Sequence, residues 1–158
     1  MNEMEKTLRQ LTETLIDKDH ILKENAAMFK AMFCINPAAM VLVEVKSGLI
    51  VEVNQAFTEM CGYTYDEAVG KTVFDLSLYS NPEDRTVVVD TILKQGFIKN
   101  EPITYRLKDG SLLPCLLSSK TIYKDGKELI LSVVVDDSAC VKFLSLAKEF
   151  GKHRRIGD

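Results

Sequence analysis

The side chains in this sequence best suited to nucleophilic, redox or metal chemistry are four cysteines and two histidines. Cys34, Cys61, Cys115 and Cys140 lie too far apart for a CxxC redox pair or for the paired ligand spacing of a zinc site. Each reads as a small buried hydrophobe. His20 and His153 stand near opposite ends, which argues against a His-rich metal site and against a Ser-His-Asp relay. Asp136 and Asp137 are adjacent, so on a strand they point to opposite faces and do not form an acid/base pair. The sequence carries neither a Gly-rich phosphate loop nor a zinc motif. The chain is therefore not expected to be an enzyme.

Composition narrows the class further. The 158 residues are 46% apolar and 27% charged, with 20 Lys and Arg against 23 Asp and Glu and a net charge of −3. This length accommodates one ordinary domain plus an extension, and such a domain buries a core without staples. High apolar content with small net charge excludes a disordered chain. A mildly acidic balance without a basic stripe argues against nucleic-acid binding. The N-terminal MNEMEKTLRQ lacks the apolar stretch of a secretory signal. No apolar run approaches the roughly 18–20 residues that span a bilayer. A cytoplasmic location is expected, and four unpaired cysteines suit a reducing compartment.

Residues 1–27 contain neither Pro nor Gly. Leu8, Leu11, Leu15 and Leu22 fall on steps of three, four and seven, an a/d seam with Lys18 and Asn25 at its polar positions. A helix this long and polar is not buried on one small domain, so the seam predicts a parallel homodimer. Residues 28–36 continue the helix or form a short second one, until Asn36-Pro37 breaks it. Strands follow at 40–45 and 49–53 around a Ser47-Gly48 turn. Asn54 caps a helix that Gly62 ends, and Thr64 with Glu67 forms a capping box for a shorter one closed by Gly70. A turn is expected near 73–76. Asn81-Pro82-Glu83-Asp84 starts a longer helix that runs to Gly96. Strands at 103–107, 112–123 and 128–135 are joined by turns at Asp109-Gly110 and Asp125-Gly126. Ser138 is expected to cap a final helix over 139–150, stopped by Gly151 and followed by a frayed polar tail, KHRRIGD. The order predicts an α+β fold. Its five-stranded antiparallel sheet carries helices on one face and is flanked by N- and C-terminal helices.

This order, with particular residues in it, resembles the PAS (Per-Arnt-Sim) sensor domain over about residues 28–138. In VEVNQAFTEMCGYTYDEAVGK, residues 51–71, the positions that fit the pattern are Asn54, Phe57, Gly62, Tyr63, Glu67 and Gly70. Asn81-Pro82-Glu83-Asp84-Arg85 is similar to the start of that family's long helix, and Tyr105-Arg106 with Asp109-Gly110-Ser111 to one of its hairpins. Asp136-Asp137-Ser138 resembles its Asp-x-Thr exit motif, with Ser for Thr. The division is then a coiled-coil helix at 1–27, a sensor domain at 28–138, and a signalling helix with tail at 139–158.

The resemblance implies a sensory module that holds a small ligand or cofactor and relays its state through flanking helices, with a histidine kinase or cyclase as output. Both a free-standing module and a piece of a longer sensor fit. The implied pocket is apolar, lined by Met40, Leu42, Phe57, Met60, Leu76, Val88, Ile92, Leu117 and Val133. The cofactor is unknown. Flavin photosensing in the family needs an adduct-forming cysteine, and the corresponding KTVFDLSLYS has none. Haem hangs from a histidine on the long helix, and PEDRTVVVDTILKQ has none. The rival reading is a cofactor-free interaction or dimerisation adaptor, in which the same apolar side chains simply fill the core. Signal exit is expected at Asp136, Asp137 and Ser138.

Overall fold

A computed structural model describes residues 2–154. Two compact units emerge, Met1–Ile35 and Asn36–Asp158. The first is a single helix, α1 (Glu3–Ile35), about 50 Å long at ~1.5 Å per residue. Asn2 caps it: the Glu5 amide donates to Asn2 Oδ1 at 2.8 Å, and the Asn2 amide donates back to the Glu5 carboxylate at 3.1 Å. The helix does not pause at residue 27 but continues unbroken to Ile35. Nothing in MFKAMFCI interrupts the ladder before Asn36-Pro37 does.

The second unit is an antiparallel five-stranded sheet of order β2-β1-β5-β4-β3, with α2, α3 and α4 packed toward one face. The strands β1 (Ala39–Glu44) and β2 (Ile50–Val53) form the first hairpin. Then come α2 (Gln55–Cys61), α3 (Tyr65–Ala68) and α4 (Pro82–Gln95). The meander of β3 (Phe97–Arg106), β4 (Leu112–Lys124) and β5 (Lys127–Asp136) precedes α5 (Ser138–Arg154). Pairing of β1 with β5 joins the hairpin to the meander, as the sequence requires.

The expected caps form. Asn54 accepts from the Phe57 amide, Thr64 and Glu67 complete a capping box, and Asn81 accepts from the Glu83 amide. Gly62 and Gly96 close α2 and α4 in the left-handed region, at φ 83° and 85°.

Three boundaries differ from expectation. Strand β3 begins at Phe97, six residues before the predicted 103, because it is an edge strand. An edge tolerates Pro102 and the bulge between Ile98 and Glu101, where Asn100 sits at φ 52°. Ser138 is the first residue of α5 rather than its cap: its amide and hydroxyl both donate to Asp136 Oδ1. Gly151 does not stop α5, which runs on to Arg154. The last part of the expected frayed tail, 155–158, lies outside the described residues. Among those described, no helix is long and apolar enough to cross a membrane.

Candidate functional site

The core lies between the sheet and α2–α4. Of the nine expected pocket residues, Phe57, Val88, Ile92 and Leu117 are buried in it, and Met60 and Leu76 pack against its rim. Met40, Leu42 and Val133 do not join them. Side chains alternate along a strand, and Ala39, Val41 and Val43 take the helix side of β1 while Val134 takes it on β5. Register then pairs Met40 with Val133 and Leu42 with Leu131 on the opposite face. The sequence misled because both parities of Met40-Val41-Leu42-Val43 are apolar. The β-strand wall of the site is instead Val41, Val43, Ile130, Ser132 and Val134.

These side chains nearly fill the interior. The enclosed space among Val41, Leu78, Val88, Tyr105 and Ser132 is about 20 Å³, room for roughly one water. Polar groups at this depth are paired. Ser119 and Ser132, cross-strand neighbours on β4 and β5, share a hydrogen bond of 2.6 Å between their hydroxyls. Tyr79 and Tyr105 meet edge to face at 5.4 Å, and burial raises both phenols above their usual range.

One cation reaches this wall. Arg85 stands on the stripe of α4 that also carries Val88, Val89 and Ile92, at i+3, i+4 and i+7. Its Nη2 donates to the Val45 carbonyl at 3.2 Å, and its guanidinium lies 5.0 Å from the centroid of the Phe74 ring. Burial lowers its pKa, and the neighbouring Tyr79 acts against that shift. Sequence reasoning placed Arg85 in a helix-start motif but not in the site. The missed signal is a charge on an otherwise apolar helical stripe.

The residues present do not fit an adduct-forming flavin or a histidine-held haem. The segment before α4 has no cysteine and α4 has no histidine. Burial, and after it the proximity of Cys115, pushes the Cys61 thiol up to about 12. Cys115 is pushed up to about 11, again first by burial. Both are protonated at neutral pH and are poor nucleophiles. Among the described residues no three His, Cys, Asp or Glu side chains converge as a metal site.

At the exit of the sheet, Asp136 ends β5 and holds the first residue of α5, while the Asp137 amide donates to the Pro114 carbonyl at 2.9 Å. Asp136, Asp137 and Ser138 are thus brought together at one junction of strand and helix. On α1, Leu8, Leu11, Leu15 and Leu22 are 58%, 55%, 66% and 67% exposed. The helix thus carries an apolar seam along one side.

A family profile described as PAS domain matches residues 37–139. Among solved structures, the PAS domain of an HTR-like protein from Haloarcula marismortui shares 23% identity at a TM-score of 0.55, covering 76% of this chain and 98% of that one. The PAS domain of a protein from Colwellia psychrerythraea shares 24% identity at 0.61, covering 73% and 96%. A domain of a sensory box sensor histidine kinase/response regulator from Geobacter sulfurreducens shares 21% identity at 0.59, again covering 73% and 96%. Comparison with curated proteins gives no match.

Proposed function

The chain belongs to the PAS domain family, and from that premise we propose that it is a sensory signal-transduction module working as a homodimer in the cytoplasm. The carrying observation is the exposed leucine seam of α1. Four leucines on a 3.5-residue repeat, each more than half exposed, are satisfied when a second copy covers them. A parallel pair sets Lys18 against Lys18 and Asn25 against Asn25, which weakens the seam and fixes its register. Such a seam has alternative packings of similar energy and serves as a bistable relay.

In this reading a small ligand acts on the α2–α4 side of the sheet, and its effect leaves through Asp136, Asp137 and Ser138 into α5. The ligand shifts the two states only by its difference in affinity for them. The output partner is a histidine kinase or a cyclase. Domains of two sensor histidine kinases among the structural neighbours support the first of these. Four free cysteines, Cys34, Cys61, Cys115 and Cys140, support a reducing compartment.

One observation favours a second reading, a cofactor-free dimerisation adaptor. The enclosed interior, about 20 Å³, is far below the roughly 300 Å³ at which ligand pockets begin. A ligand must therefore bind at the rim of the core, or the core must open.

Sedimentation velocity tests the dimer. The full chain is expected to sediment as a dimer at micromolar concentration. Leu11→Glu with Leu15→Glu, both at exposed positions, is expected to weaken association at least ten-fold and leave the fold intact. An equally tight dimer in the double variant would remove α1 as the interface.

A further inference from the structure

Between the turn after α3, the first turn of α4 and strand β3, an open cleft of about 410 Å³ is lined by Phe74, Ser77, Ser80, Arg85 and Arg106. Val73 and Tyr79 line both this cleft and the small enclosed space beneath it. The cleft is thus the outer mouth of the sensory core.

The charged side chains that line it are both cationic, while the Asp84 carboxylate is felt at Tyr79 on its edge. Arg85 and Arg106 both line it, and both are half-buried. The ion pairs among the described residues are Arg9–Glu13, His20–Glu24, Lys23–Asp19, Lys108–Glu67 and Lys127–Glu44. Neither cleft arginine belongs to one. Glu83 and Asp84 sit on the adjoining helical turn, and neither comes within ion-pair distance of either guanidinium. Arg85 spends one N–H on the Val45 carbonyl and lies over Phe74, an arrangement that fixes its position without neutralising it. A half-buried guanidinium without a counter-charge is a costly arrangement, and an oxyanion received by its remaining donors offsets that cost.

The backbone at the cleft is held in place. The Arg106 amide donates to the Leu78 carbonyl at 2.8 Å, and the Ser80 amide to the Thr104 carbonyl at 3.0 Å. The fourteen-residue helix α4 begins at the same edge with Pro82, its positive dipole end offset in part by Glu83 and Asp84 in the first turn. Ser77 and Ser80 bring hydroxyl donors to the rim.

We propose that this cleft binds a small organic anion through its carboxylate or phosphate group, with Arg85 and Arg106 as the counter-charges. The proposal deepens the sensory reading above and rests on it. It gives the ligand a chemical class and seats it at the mouth of the core. The size agrees: 410 Å³ holds a molecule of several heavy atoms, whereas the space beneath holds one water. Since Arg85 stands on α4 and Arg106 on β3, an anion between them ties helix to sheet.

The test is a titration of the isotope-labelled full chain, followed by the backbone amide signals. Succinate and inorganic phosphate are the two probes, with chloride at matched ionic strength and neutral succinamide as controls. Saturable shifts centred on Ser77, Ser80 and Arg106 are expected with at least one probe, at a dissociation constant of a few millimolar or tighter. The probe that binds identifies the anionic group. Arg106→Gln is expected to weaken that binding at least ten-fold. Should this variant fail to fold, Arg106→Lys keeps the charge, loses the planar fork, and is expected to weaken binding about three-fold or more. Shifts that match the chloride control for both probes, or a folded variant that binds as tightly as the native chain, would overturn the proposal. Sedimentation without added anion reports on the α1 dimer separately, so the two readings fail independently.

Discussion

Asn54 shows how one side chain ties local to distant structure. Its Oδ1 accepts from the Phe57 amide at 3.0 Å, the cap that starts α2, and from the Met40 amide in β1 at 2.9 Å. Its Nδ2 donates to the Ala38 carbonyl at 2.9 Å. The side chain is almost wholly buried. Asn54→Ala therefore removes a helix cap, worth about 1 kcal/mol, and strands buried backbone groups, each worth about 1–3 kcal/mol. The expected loss is about 2–4 kcal/mol, read from urea denaturation. A loss below 1 kcal/mol would show that the distant bonds contribute nothing. The cap was legible in the sequence because it depends on three residues of local spacing. The tie to β1 was not, because nothing local to Asn54 announces a partner fourteen residues upstream. Arg85 was half legible for a similar reason: its helix could be read, but the ring of Phe74 that it faces comes from another segment.

At the scale of elements, legibility followed whether the signal was chemical or positional. Hairpins announced by Asp-Gly turns and helices announced by Asn, Thr and Pro appear where expected. The parity of β1 was not legible, since an all-apolar strand can put either set of side chains inward. Nor was the early start of β3, where polar residues and a proline conceal an edge strand. At the junction of β5 and α5 the expected capping residue, Ser138, is instead the first residue of the helix. Asp136 receives both the amide and the hydroxyl of Ser138. Asp136→Ala removes the acceptor of the first helical amide and is expected to destabilise the first turn of α5 by about 1 kcal/mol, the usual worth of one such hydrogen bond. Hydrogen exchange at Val141, whose amide donates to the Asp137 carbonyl, should then quicken roughly five-fold, while exchange in β1 stays unchanged. Unaltered exchange at Val141 would mean that Asp136 does not hold the helix start.

The whole molecule divides its sequence between two tasks. Residues 36–136 build a sheet and a packed core whose few polar groups are paired. The helices at either end leave leucines, phenylalanines and valines in solvent, as at Leu15, Leu22, Phe143 and Phe150. The proposed association would cover these apolar side chains on α1. The seam was legible because a heptad repeat is a property of sequence alone. The cleft that holds Arg85 and Arg106 was not, because it is assembled from a turn, a helix and an edge strand. In the proposed dimer two copies pair through α1 in parallel and in register. Leu8 lies near the start of the seam, so a parallel pair sets the two Leu8 positions side by side, whereas an antiparallel pair sets them far apart along helices about 50 Å long. The measurement is oxidative cross-linking of Leu8→Cys in a chain whose exposed Cys34 and Cys140 are replaced by serine. A disulfide-bridged dimer in high yield at low micromolar concentration is the predicted result. A chain that remains monomeric on a non-reducing gel would contradict the parallel seam.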